Sequence, residues 1–75
     1  MTLEEFEKLN EHYKNVWLFE AQKLLEVVDS LRRIQLFKIN NFFVEATTSI
    51  VGKFKRKITT YSEASLPIKY KNLDL

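Results

Sequence analysis

From Leu36 onward, large apolar residues recur at steps of three and four: Leu36, Ile39, Phe43, Ala46, Ile50, Phe54, Ile58 and Tyr61. That spacing lines one face of a helix. A similar pattern runs upstream through Leu3, Phe6, Leu9 or Tyr13, Val16, Trp17, Ala21, Leu24, Val28 and Leu31. Thr2 and Glu5 stand in the T-x-x-E arrangement of a capping box, which starts a helix at Leu3. Glu4, Glu5 and Glu7 follow in the first two turns, where the helix dipole favours negative charge. One glycine and one proline in 75 residues argue against an all-β fold, which needs many turns. The fold expected is all-α.

Two places interrupt the pattern. Asp29-Ser30 can cap a new helix, and Asn40-Asn41 can form a turn, because asparagine tolerates left-handed backbone angles. At most one is expected to be a real break. A helix unbroken from Leu3 to Tyr61 would be roughly 90 Å long, too long for a compact monomer. The alternatives are therefore one long helix in a coiled coil or larger bundle, or an antiparallel helical hairpin. Residues 1–61 form the helical region. Pro67 ends any helix by Leu66, and Ile68-Lys69-Tyr70-Lys71 alternates apolar and basic, so residues 62–75 read as an extended tail.

A chain this short supports one domain and a small core, and leans on partners or oligomerisation. Without cysteine it has neither disulfides nor thiolate metal sites. Residues 1–30 carry three Lys/Arg against seven Asp/Glu, and residues 31–75 carry nine against three. Such asymmetry suits antiparallel self-pairing, or contact of the basic half with a phosphate-rich surface. No apolar run has the length of a transmembrane helix, and the acidic N-terminus lacks a signal-peptide core. A cytoplasmic location is expected, with peripheral membrane attachment as the variant.

His12 has no second ligand at helical spacing, so no metal site is expected. The acidic face Glu4, Glu5, Glu7 and Glu11 reads as solvated, since acid–base work needs a pocket that shifts carboxyl pKa values. No nucleophile stands beside a base and no glycine-rich loop is present to hold phosphate. The chain therefore reads as a non-enzyme without a cofactor. The sharpest electrostatic feature is Lys53, Lys55, Arg56 and Lys57 around Phe54, a cluster able to meet an anionic surface. Leu24, Val28, Leu31, Leu36, Ile39, Phe43, Ile50, Phe54 and Ile58 form the expected helix-packing interface. Phe37 and Phe42 fall off that stripe, which implies a second buried face.

Arg33-Ile34-Gln35-Leu36-Phe37-Lys38 resembles the R-I-x-F-L-K type signature on a late helix of F-BAR domains, with Trp17 upstream as in that family. Phe42, Phe43, Thr48, Ser49 and the exit from Tyr61 to Pro67 are similar to the family's closing helix. The acidic run that usually precedes the arginine is absent, since Val27-Val28-Asp29-Ser30-Leu31-Arg32 stands there. The resemblance implies a portion of an antiparallel helical dimer that binds membranes through basic surfaces.

The function expected is a helical protein–protein assembly element, self-associating or docked on a larger helical partner. The alternatives are a peripheral membrane-binding portion of a BAR-like module, and a small regulator that docks on an enzyme or transcription factor. Nucleic acid ranks behind these as a partner.

Overall fold

A computed structural model describes residues 1–52 and 55–72. Two N-terminal helices, α1 (Leu3–Glu7) and α2 (Glu11–Glu20), precede four strands. These are β1 (Gln22–Val28), β2 (Arg32–Ile39), β3 (Phe42–Ser49) and β4 (Arg56–Ser62), followed by one helical turn, α3 (Ile68–Lys71). The strands form a single antiparallel meander in the order β1-β2-β3-β4. The expectation of an all-α fold, with long helix, hairpin or coiled coil, is thus corrected. Most of the residues assigned to the long stripe are strand.

The reason lies in residue type and in the turns. Val27, Val28, Ile34, Val44, Thr47, Thr48, Ile58, Thr59 and Thr60 are β-branched, and Phe37, Phe42, Phe43 and Tyr61 are aromatic, all types that pack well on a pleated surface. The reversals need no glycine at two of the three hairpins. Asp29 accepts from the N–H groups of Leu31 (2.7 Å) and Arg32 (2.8 Å) and closes the β1–β2 turn. Asn40 supplies the positive φ of 53° in the two-residue turn between Ile39 and Phe42. Both interruptions in the sequence pattern are therefore turns between strands. Gly52, at φ 80°, serves the β3–β4 connection.

The register explains why the apolar steps look helical. Leu36 and Phe43 belong to one cluster, with Leu66 and Tyr70. Ile39, Ala46 and Ile58 belong to the other, with Phe6, Leu18, Phe37, Phe42 and Val44. Steps of three along a strand change face, and the turn at Asn40 shifts the count again, so the stripe is shared between two cores. Both faces of the sheet are covered, which fills consecutive positions such as Leu36-Phe37 and Phe42-Phe43-Val44 with apolar residues and hides the period of two.

The helical face is covered by α1 and α2. Thr2 caps α1: its N–H donates to Glu5 Oε1 (2.8 Å), and Glu5 N–H donates to its hydroxyl (3.2 Å). Phe6 is fully buried against Phe42, with ring centroids 5.8 Å apart. Thr60 Oγ1 donates to Glu7 Oε1 (2.6 Å) and pins α1 to β4. Asn10 caps α2, accepting from Tyr13 N–H at 3.0 Å, and α2 contributes Leu18 to the core.

The opposite face is covered by the C-terminal segment, so the expected extended tail is corrected as well. Ser62 and Ser65 close a turn through mutual hydrogen bonds (Ser62 N–H to Ser65 Oγ, 2.8 Å), Leu66 is buried, and Pro67 opens α3. Tyr70 is buried against the sheet, where its hydroxyl donates to Glu45.

Candidate functional site

β2 and β4 both run antiparallel to β3, so they start at the same end of the sheet. Their first residues are Arg32 and Arg33, and Arg56 and Lys57, with Lys55 just before. The topology thus gathers five cations from two distant stretches at one end. Cross-strand rows divide them between faces. Val28, Arg33, Thr48 and Arg56 share a row on the helical face; Val27, Ile34, Thr47 and Lys57 share one on the other. Of the anionic-surface residues read from the sequence, Arg56 and Lys57 therefore point to opposite faces, Lys55 precedes β4, and Lys53 lies outside the described residues. Arg32 and Arg33 belong to the same end, although no sequence spacing links them to the later cluster.

The turns at this end carry exposed apolar side chains. Leu31 in the β1–β2 turn is 63% exposed and Val51 in the β3–β4 connection 56%. The two turns are tied by a backbone hydrogen bond from Ile50 N–H to Leu31 O (3.0 Å). Asp29 is the nearby counter-charge. Its carboxylate is held below its usual pKa by the two turn N–H donors, with a weaker contribution from Arg32, whose Nε lies 3.9 Å away.

On the helical face, a groove of about 590 Å³ opens where α2 ends and the sheet is left uncovered. Asn15 and Phe19 line it from α2, with Lys23, Gln35 and Arg56 from three strands. Gln35 Nε2 donates to Glu26 Oε1 (2.6 Å), and Lys23 Nζ lies 3.4 Å from the same oxygen. These bonds lower the Glu26 pKa, Gln35 contributing most. Arg56 makes no ion pair among the described residues, and partial burial lowers its pKa by desolvation.

The outer side of α2 carries large apolar side chains with the exposed His12 and Glu20 among them. Tyr13, Val16, Trp17 and Phe19 are 55, 50, 43 and 91% exposed. Leu18 is the one buried residue of this helix, so much of its apolar surface faces outward. His12 packs edge-on against Tyr13 at 5.4 Å, and no group of metal ligands forms among the described residues.

The expected helix-packing residues do not form one surface. Leu36, Ile39 and Phe43 are buried and Leu24, Ile50 and Ile58 half-buried, spread over two cores and a turn. Val28 and Leu31 are exposed, and Phe54 lies outside the described residues. Arg33 to Lys38, which carries the F-BAR-like signature, is strand β2, so the long helix implied by that resemblance is not what these residues form. Sequence reasoning passed over Glu45. Its side chain, 13% exposed, accepts from the Tyr70 hydroxyl and lies 3.5 Å from Lys69 Nζ. Burial first, then the bond to Glu45, pushes the Tyr70 phenol well above its ordinary pKa.

Comparison of the chain with protein-family models, with curated proteins and with solved structures gives no match. No helix among the described residues is long and apolar enough to cross a membrane.

Proposed function

We propose that the chain is a non-enzymatic protein–protein assembly module that docks its partner on the outer side of α2. The observation that carries this is the exposure of Tyr13, Val16, Trp17 and Phe19 on one ten-residue helix. Several large aromatic and branched side chains exposed on one short helix are characteristic of an interaction site. Rings such as Trp17 and Phe19 remove much apolar area from water at low cost in side-chain entropy, so they suit a docking anchor. The partner surface is apolar, with polar groups that meet His12 and Glu20 among these side chains.

The test is affinity capture from source cells with the wild-type chain and with Val16→Asp/Phe19→Asp, compared by quantitative mass spectrometry. Both side chains are exposed, so the variant should keep the wild-type circular dichroism. A partner held by the wild type and reduced roughly tenfold or more in the variant supports the proposal. Equal recovery by both proteins overturns it.

A second reading rests on the basic end of the sheet. Leu31 and Val51 project from joined turns flanked by Arg32, Arg33, Lys55, Arg56 and Lys57, an arrangement suited to an anionic bilayer: apolar tips enter the interface and cations meet headgroup phosphates. Each cation near an anionic surface is worth about 1 kcal/mol. Lys55→Glu/Lys57→Glu should therefore weaken co-sedimentation with phosphatidylserine vesicles by roughly tenfold or more. Wild-type binding that is equal on phosphatidylcholine vesicles counts against this reading.

A further inference from the structure

β1 is an outer strand of the sheet, and among the described residues no strand pairs with the backbone groups of its outward edge. Which residues offer them follows from the turn. Asp29 N–H donates to Arg32 O (3.0 Å), so pairing alternates back along β1 from that bond. Val27 and Leu25 bond inward to Ile34 and Leu36, while Val28 and Glu26 turn their N–H and C=O groups outward.

A β-bulge between Lys23 and Leu25 then resets the phase. In a regular strand, residues three apart point to opposite faces. Here Lys23 pairs with Phe37 and Glu26 with Gln35, two residues apart on β2, so Lys23 and Glu26 share the helical face and both turn their backbone outward. The bulge leaves Leu24 and Leu25 together on the opposite face, packed at the second core.

We propose that β1 pairs antiparallel with β1 of a second copy of this chain, in the register that sets Lys23 opposite the partner's Glu26. By two-fold symmetry Glu26 then faces the partner's Lys23, Leu24 faces the partner's Leu25, and Gln22 faces the partner's Val27. Two four-stranded sheets become one continuous sheet. Charge selects this register. The outward phase also permits Glu26 opposite the partner's Glu26, or Lys23 opposite the partner's Lys23, and both set like charges face to face. Pairing Glu26 with the partner's Val28 avoids that clash but engages only the end of the strand. The bulge is what allows the complementary register, since it brings two residues of opposite parity onto one face. The internal Lys23–Glu26 contact is solvent-exposed, so exchanging it for the contact between copies costs little. The edge adjoins α2 at the groove that Phe19 and Lys23 both line, while Val16 lies outside that groove.

The experiment is sedimentation equilibrium of the full chain from micromolar to millimolar concentration, for wild type, Lys23→Glu, Glu26→Lys and the double exchange Lys23→Glu/Glu26→Lys. Circular dichroism checks that each is folded; both side chains lie at the surface. The wild type should dimerise. Each single variant should raise the dimer dissociation constant roughly tenfold or more, because symmetry repeats the like-charge clash. The double variant should restore the dimer. A wild type that stays monomeric, single variants that dimerise as well as wild type, or a double variant that stays monomeric overturns the proposal. Val16→Asp, on α2 but outside the groove that holds Lys23, should dimerise normally. Loss of the dimer in that variant alone would place self-association on α2, overturning the β1 register and leaving the assembly function in place.

Discussion

Glu45 is a carboxylate on the sheet face beneath α3, and its acceptor capacity is met by the Tyr70 hydroxyl and the Lys69 ammonium. Tyr70→Phe keeps the ring and removes the donor, leaving a mostly buried carboxylate oxygen short of a partner. A hydrogen bond to a charged group is worth about 1.5–3 kcal/mol, and urea melts at pH 7 should show a loss of that order. The pH dependence has a definite sign. The folded state holds the phenol proton more tightly than the unfolded chain, so this contribution is complete below the unfolded pKa of about 10 and is lost as pH rises above it. Tyr61, raised by burial and then by Glu45, acts in the same direction. Wild type should therefore lose stability from pH 10 upward, and the difference between wild type and Tyr70→Phe should shrink there. A gap that stays constant with pH would show that the hydroxyl is not what couples Tyr70 to Glu45.

At the scale of the element, α1 is five residues long, far below the length at which an isolated helix is stable in water. Three things hold it: the Thr2–Glu5 capping box, the Glu7–Thr60 hydrogen bond and the complete burial of Phe6. Phe6 does the most, since its ring fills the core against Phe42 and Leu18. Phe6→Ala removes that ring and leaves a cavity, a change that costs about 3–5 kcal/mol. For a domain this small that is a large share of total stability. The variant should melt at markedly lower urea concentration, or be unfolded at 37 °C. Near-wild-type stability would mean that α1 is not part of the cooperative unit. β1 is the complementary case: its outer edge has no partner strand among the described residues, and its bulge sets the charges along that edge.

At the scale of the molecule, the acidic first half and basic second half occupy different places. The acidic residues of 1–30 lie mostly on α1, α2 and the edge of β1, while Arg32 and Arg33 of β2 and Arg56 and Lys57 of β4 collect at one end of the sheet. The domain is therefore polarised, with exposed aromatic side chains at α2, a basic end at the joined turns, and an edge strand able to take another strand. Dimerisation through β1 would add backbone hydrogen bonds along a whole strand, and the thermal midpoint should then rise with protein concentration. A midpoint independent of concentration belongs to a self-contained monomer.

The sequence alone determined the local events: Thr2 and Glu5 start a helix, Asn40 marks a reversal and Pro67 ends the preceding segment, whereas Asp29-Ser30, expected as a helix cap with at most one of the two breaks real, is a strand turn as well. Those properties depend on neighbours within three or four residues. Helix or strand for residues 22–62 was decided by tertiary structure. Steps of three and four fit a helix face, and they equally fit strands buried on both sides, whose inward positions are divided between two cores. The scarcity of glycine pointed to helix, while aspartate and asparagine supplied two of the turns that a meander needs. The basic end was likewise hidden, because Arg32 and Arg33 meet Lys55, Arg56 and Lys57 only when β2 and β4 run side by side with β3 between them. Strand pairing is a long-range choice, made by burying Phe6, Leu18, Leu66 and Tyr70 against both faces of one sheet, and no local spacing records it.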